Sequence, residues 1–227
     1  MTVAAAPLFE TVSREAEPRR ARGIGVLTIA LGVASLALLA AHPGGDAKTF
    51  ADVLKDEASN RISNAIVHGG FIAVLALQMV CYAVFSARLG LMRVASVAGL
   101  VLFGFGAAFL CASLLVDGLV VPAVAARYLP KPDKIESARV LFVLMGTMVS
   151  LLMPIGLAFQ SAAIAAWGWA LTASGKRAAG VFGLVAGVLM LAAVAASFAM
   201  GNPMAMMAAL ALTAVWAMVA GAAMLRR

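Results

Sequence analysis

The chain has 227 residues, of which 64% are hydrophobic and 12% are charged, and its formal net charge is +7. Soluble domains have roughly 45–50% apolar and about 25% charged residues, so a water-soluble core of this size cannot hide the excess. The basic residues stand at the ends of apolar runs and form no patch interleaved with aromatic residues, which excludes a nucleic-acid-binding protein. The apolar runs are continuous and not alternating, which favours membrane-spanning helices over the strands of an outer-membrane barrel. We therefore predict an all-α, polytopic integral membrane protein.

The N-terminal region divides into a polar segment and an apolar run. Residues 1–22 contain three glutamates and an arginine cluster without an apolar period, and we expect a flexible cytoplasmic tail. The run over residues 23–41 predicts the first span, because roughly 20 apolar residues cross the hydrocarbon core as a helix. A cleaved signal peptide is the alternative interpretation of this run. We favour a retained span because the tail is long and acidic for a signal sequence.

Residues 49–63 have apolar side chains at helical spacing with charged residues between them, which predicts an amphipathic helix. Thr49 and Asp52 have the spacing of a capping box, in which side chains satisfy the first free backbone N–H groups of a helix. We expect this segment to lie on, or rise from, the outer membrane surface and to lead into the second span.

Residues 23–227 are expected to form one six-helix transmembrane domain with extended helix ends on the outer face. The third apolar run is longer than the bilayer core, so its outer end should protrude, tilt or bend near Gly118 and Pro122. The fourth helix is expected to begin near Lys134 and to kink at Pro154. The five spans after the first are predicted at about 65–86, 94–120, 139–172, 178–200 and 205–225.

Positive charges next to short loops indicate the orientation. Ten of the 17 lysines and arginines fall on the side of the N-terminus, and they include those of the tight turns. We therefore expect a bacterial-type inner-membrane protein, surrounded by membrane lipids, with both termini in the cytoplasm.

Small residues at helical spacing predict close helix packing. Gly183 and Gly187 form one such pair and Ala217 and Gly221 another, and small residues let helix backbones approach each other in lipid. We expect contacts within the chain, while a homodimer or a partner membrane protein is the alternative.

Three ionisable residues are predicted to share one depth near the outer boundary. Asp117 lies far along the third span, His68 is about one turn into the second, and His42 ends the first. An ionisable group in hydrocarbon costs at least a few kcal/mol unless it is paired or hydrated. Asp117 is therefore interpreted as a boundary residue that caps or kinks its helix, as one half of a structural pair, or as part of a binding site.

Three amide side chains complete the candidate set. Asn64 lies one turn before His68 and is a possible hydrogen-bond partner for it. Gln78 and Gln160 lie deeper in the bilayer, where their amides need partners, so both are expected to point into the bundle. They are also candidates for lining the path of a polar substrate.

Metal and cofactor chemistry has weak support in the sequence. His42, His68 and Asp117 offer three ligands from three helices, but no HExxH or similar spacing accompanies them. A bis-histidine haem would need both histidines of the chain, and one of them adjoins a proline. We therefore predict no metal, no cofactor and no catalytic residue.

Few ionisable residues lie in the predicted spans, which disfavours acid–base catalysis and ion coupling. We expect a non-catalytic membrane protein that binds a lipid, a small apolar ligand or a partner membrane protein, with a polar pocket near His68 and Asp117. One alternative is an enzyme or redox carrier with a metal or haem at His42, His68 and Asp117. The other is a small-molecule transporter hinged at Pro154.

Overall fold

The protein is all-helical in the residues that its computed structural model describes, 13–43, 48–200 and 203–225. No strand occurs in these ranges. A π-helical turn, Val116–Val120, joins α4 to α5, and a 3-10 turn precedes α6. The helices are α1 Ser13–Ala40, α2 Phe50–Ser59, α3 Arg61–Leu89, α4 Val94–Leu115, α5 Val121–Tyr128, α6 Ile135–Ala173, α7 Arg177–Met200 and α8 Pro203–Leu225.

Six helical segments in the described ranges are long and apolar enough to cross a membrane. They are α1, α3, α6, α7, α8 and the continuous segment formed by α4, the π turn and α5. The six-helix fold predicted from the apolar runs is therefore confirmed.

The N-terminal helix is longer than its apolar run. It begins at Ser13, so residues 13–22, which were expected to form a flexible tail, are helical. The segment is rich in Glu, Ala and Arg, which have high helix propensity and can extend a helix beyond the membrane. Residues 1–12 of the predicted tail lie outside the described residues.

The six spans form a closed ring in chain order. Each neighbours the next along the chain, from α1 to α3, α4, α6, α7 and α8, and α8 packs against α1. Contacts across the ring are few, which leaves room at its centre.

Small residues hold the ring together, as predicted. A Cβ placed on Gly221 of α8 would lie 2.6 Å from the carbonyl oxygen of Gly25 in α1. A Cβ on Gly187 of α7 would lie 2.7 Å from the carbonyl oxygen of Ser161 in α6. These backbones approach each other only because no side chain intervenes, so both predicted faces serve packing within the chain.

Aromatic side chains fill one end of the ring, at the end of α3. Tyr82 stacks on Trp167 with ring centroids 4.6 Å apart, and the indole Nε1–H of Trp167 donates to Oγ of Ser86 at 2.8 Å. We call this group the aromatic cluster; its members are Tyr82, Phe85, Phe103, Trp167 and Trp216. The end of the bundle that carries His42 and His68, here the histidine end, lies opposite.

The amphipathic segment forms α2, and Leu54 at its centre is only 2% exposed because it packs against Ala125 of α5 and Ala138 of α6. The helix thus covers the extended ends of α5 and α6. The predicted capping box is present: Asp52 N–H donates to Thr49 Oγ1 at 3.2 Å, and Thr49 N–H donates to Asp52 Oδ2 at 3.0 Å. The Thr49 hydroxyl also donates to Asp52 Oδ2 at 2.7 Å, and this bond, together with that from the Thr49 N–H, lowers the pKa of the Asp52 carboxyl.

Candidate functional site

The π turn between α4 and α5 places Asp117. The N–H of Val121 donates to the carbonyl of Val116, five residues back, so the turn holds one more residue than an α-helical turn. Such insertions occur often at functional sites, since they redirect a side chain without ending the helix. Here the turn contains Asp117 and contacts α3.

Gly118 makes room for His68. A Cβ on Gly118 would overlap Cβ and Cγ of His68, whose ring therefore packs directly on the backbone of the π turn. Because of this contact His68 is only 3% exposed. The Asp-Gly pair thus supplies both a carboxylate and the space for its partner.

Both ring nitrogens of His68 face acceptors. Nδ1 lies 2.9 Å from the carbonyl oxygen of Asn64, which can only accept, so Nδ1 carries a hydrogen. Nε2 lies 3.2 Å from Oδ2 of Asp117. In a neutral imidazole with Nδ1–H, Nε2 holds a lone pair. The two atoms therefore attract each other only with a cation or a proton between them.

His42 completes the cluster from the end of α1. Its ring lies edge-on to that of His68 with centroids 5.1 Å apart, and its Nδ1 is 3.1 Å from the carbonyl oxygen of Pro43. One nitrogen or carboxylate oxygen from each of His42, His68 and Asp117 lies within 4.8 Å of the others. The structure brings together the three residues that were predicted to share one depth.

A second layer of polar residues supports this cluster. Nδ2 of Asn64, which is 6% exposed, donates to Oε2 of Glu57 at 3.0 Å. Burial raises the pKa of the Glu57 carboxyl, and the negative charge of Asp117 raises it further. This layer and the cluster enclose a polar recess of about 70 Å³. The residues that line the recess are His42, Pro43, Asp56, Glu57, Asn60, Asn64, His68 and Asp117.

A larger cavity of about 270 Å³ lies at the centre of the ring. His42, His68 and Asp117 line both spaces, so the cluster stands between them. The other residues that line the cavity are Ser35, Leu39, Phe71, Val74, Leu75, Gln78, Leu110, Leu114, Val149, Met153, Gln160, Met206, Met207, Leu210, Thr213 and Ala214.

Gln78 and Gln160 reach this cavity from α3 and α6. They are 2% and 0% exposed, so the prediction that both point into the bundle is confirmed. The prediction that both find partners is wrong for Gln160, whose amide nitrogen and oxygen are buried without a hydrogen-bond partner in the described residues. A buried unpaired amide costs free energy, so its presence in a cavity wall requires an explanation.

Sequence reasoning missed Glu57, which has the pattern of an ordinary solvent-facing charge on an amphipathic helix. The only available signal was its position about two helical turns before Asn64 and about three before His68. Gly118 was interpreted only as a weak point of its helix. That it makes room for the His68 ring could not be predicted, because this contact depends on how α3 packs.

The site therefore combines a polar, carboxylate-rich recess with a mainly apolar cavity. None of the described residues that line either space is a lysine or an arginine. Such a surface can hold a cation at the cluster and an apolar body below it. Comparisons with protein-family models, with curated proteins and with solved structures gave no match.

Proposed function

We propose that this protein is a non-catalytic membrane protein that binds a small, mainly apolar molecule with a polar end in the central cavity. The observation that carries the proposal is the cavity itself, about 270 Å³ inside the ring of spans. Small-molecule pockets have volumes of about 300–1,000 Å³, so this space lies just below that range and fits a small ligand.

The wall of the cavity fits an apolar body. Most of its side chains are leucine, valine, phenylalanine or methionine, and Met153, Met206 and Met207 are flexible enough to adapt to different shapes. Ligand pockets have this character, with a few polar groups that fix orientation.

Two polar regions match the ends of such a molecule. His42, His68 and Asp117 stand at the histidine end, and the unpaired amide of Gln160 lies deeper. A rotation that turns the buried amide of Gln160 toward the cavity would let a hydroxyl or carbonyl group on the ligand satisfy it and remove the penalty of its burial. The ligand class is therefore a lipid-like amphiphile with at least one hydrogen-bonding group.

Binding is favoured over transport by the opposite end of the ring. There the aromatic cluster fills the space, with Trp167 and Trp216 fully buried. Beyond the cluster of His42, His68 and Asp117, no described residue that lines the cavity is ionisable, which disfavours ion coupling.

The orientation that we propose places the histidine end at the outer leaflet of a bacterial-type inner membrane. Arg88, Arg93, Lys176 and Arg177 flank the short turns at the other end, and short loops rich in Lys and Arg remain cytoplasmic. Both termini would then be cytoplasmic, and lipids of the outer leaflet would have the shorter route to the cavity.

The test uses protein purified in a mild detergent and titrated with dodecanol, farnesol, lauric acid and, as an apolar control, dodecane. Thermal stability and native mass spectrometry report binding. We expect stoichiometric binding and a raised melting temperature with at least one polar-ended probe. No binding by any probe, or equal binding of dodecane, would overturn the proposal.

A matched pair of variants locates the site. Leu114→Trp fills the cavity and should abolish binding, whereas Leu115→Trp, at a neighbouring position that is 45% exposed, should leave it unchanged. If Leu114→Trp lowers stability, Leu114→Phe provides the milder obstruction. Unchanged binding in folded Leu114→Trp and Leu114→Phe would place the probe elsewhere.

A further inference from the structure

We propose that His42, His68 and Asp117 bind one divalent transition-metal ion of the zinc class, between the polar recess and the central cavity. This inference goes beyond the proposed function and does not depend on an apolar ligand. It departs from the sequence-based expectation of no metal, because that expectation rested on residue spacing and the new observation is three-dimensional.

The tautomers of the two histidines favour a metal ion. Nδ1 of His68 faces the carbonyl of Asn64 at 2.9 Å, and Nδ1 of His42 faces the carbonyl of Pro43 at 3.1 Å. Each contact assigns a hydrogen to Nδ1, so in a neutral ring Nε2 has the lone pair that can bind a metal. Metal-binding histidines usually have this arrangement, in which a carbonyl or carboxylate fixes the other ring nitrogen.

The spacing of the candidate ligand atoms is close to that of ligands on a zinc ion. A zinc ion binds nitrogen and oxygen at about 2.0–2.2 Å, so two ligands on a tetrahedral ion lie roughly 3.4 Å apart. His68 Nε2 and Asp117 Oδ2 are already 3.2 Å apart. The whole group lies within 4.8 Å, and His42 follows the last turn of α1 with an exposed side chain, so a small rotation closes the set.

The negative charge of the polar recess favours a cation. The polar recess is lined by three carboxylates, Asp56, Glu57 and Asp117, and by no lysine or arginine. Outside His68, Asp117 has no ion pair with a described residue. A cation at the cluster would face this negative charge directly and would replace the lone-pair contact between His68 and Asp117 with two coordinate bonds.

Outer residues hold the ligands in place. Asn64 accepts from His68 through its carbonyl and donates to Glu57 through its amide, so one residue links the ligand to a second carboxylate. Gly118 fixes the other side of the His68 ring. Three protein ligands leave a fourth position for water or another small donor.

The experiment measures Zn²⁺ and Co²⁺ binding to the full chain, purified in mild detergent, freed of any affinity tag and stripped with EDTA. Calorimetry gives the stoichiometry for Zn²⁺, and visible absorption reports Co²⁺ coordination. We expect one ion per chain, and an affinity at least about tenfold lower in His42→Ala, His68→Ala and Asp117→Asn. Asp56→Asn, which alters the recess without removing a ligand, is the control and should keep the stoichiometry.

A gain of signal guards against misfolding. His42→Cys replaces an exposed ligand with a thiolate, so it should bind Co²⁺ and add a sulfur-to-cobalt charge-transfer band that the wild type lacks. Absence of stoichiometric binding in the wild type would show that a proton alone bridges His68 and Asp117. Equal affinities in wild type, Asp117→Asn and His42→Ala, or no new band in His42→Cys, would likewise overturn the metal site. Dodecanol or farnesol binding is measured in EDTA, so it can succeed or fail independently.

Discussion

Nε2 of His68 lies 3.2 Å from Oδ2 of Asp117, although 49 positions separate the two residues along the chain. Both residues line the polar recess, but the histidine side chain is 3% exposed and the aspartate side chain 38%, so the two differ in their access to solvent. This asymmetry lets the imidazole fix the geometry while the carboxylate stays accessible. Each part of this arrangement can be tested separately.

The coupling between His68 and Asp117 should be measurable in metal-free protein. We expect a double-mutant cycle of His68→Gln and Asp117→Asn to give an interaction free energy of roughly 1–2 kcal/mol, because the contact is charge-assisted but partly hydrated. Unfolding of the four proteins in detergent with EDTA measures it. Additive effects of the two substitutions would contradict a direct interaction.

Gly118→Ala should be strongly destabilising, by at least about 2 kcal/mol, because the new methyl group overlaps the His68 ring. Gly146→Ala is the matched control, since no atom lies within 4 Å of a Cβ at that position of α6. Alanine there should be neutral or stabilising by up to about 1 kcal/mol. Similar melting temperatures for the two variants would count against the packing of His68 on the π turn.

Stability should depend on pH through Glu57. Its folded-state pKa is raised, mainly by burial, above the ordinary value of 4.5, so the folded protein binds this proton more tightly than the unfolded chain. Stability contributed by Glu57 therefore increases as pH falls through the raised pKa and is complete below the ordinary value. Glu57→Gln should be more stable than wild type at neutral pH and equal to it in acid.

The measurement is the melting temperature of wild type and Glu57→Gln against pH, in EDTA. Asp56→Asn, the neighbouring carboxylate, serves as the control. A difference between wild type and Glu57→Gln that stays constant with pH would exclude a raised Glu57 pKa as its cause.

Gln160 should lower the stability of the empty protein and strengthen the binding of a ligand. Replacing its unpaired, fully buried amide with leucine should stabilise the empty protein by about 1–3 kcal/mol, because an unsatisfied polar group is removed. The same change should weaken binding of farnesol or dodecanol. Ser161→Ala is the control, since that hydroxyl already donates to the Leu157 carbonyl at 2.7 Å and its loss should not stabilise. A less stable Gln160→Leu protein would indicate that the amide has a partner such as water.

The proposed orientation predicts where reporters are active. Alkaline phosphatase fused after Gly90 or Gly175 should be inactive, and the enzyme fused after Lys131 should be active, because only the histidine end would face the periplasm. Fluorescent protein fusions should give the reverse pattern. Phosphatase activity after Gly90 would invert the molecule and place the site at the cytoplasmic surface.

The sequence was sufficient to predict the membrane fold and the shared depth of the site residues. Continuous apolar runs determine where spans lie, and counting residues from span ends gave the common depth of His42, His68 and Asp117. The capping box of Thr49 and Asp52 could also be predicted, because it depends only on two residues that lie three positions apart.

Other features depend on packing that local pattern does not encode. No apolar period in the sequence indicates that residues 13–22 are helical. None indicates the π turn at Asp117 either. The role of Glu57 follows from how α2 docks on α5 and α6, and the unpaired state of Gln160 follows from the shape of the ring.

The closure of the ring by α8 against α1 has a consequence for biogenesis. Helices that emerge in sequence from the ribosome can each associate with the one inserted before. The contact of α1 with α8, however, forms only after α8 has been inserted. Met206, Met207, Leu210, Thr213 and Ala214 all belong to that final helix. A nascent chain released before residue 203 would therefore lack one side of the central space and leave the α1 surface around Gly25 without its contact to Gly221.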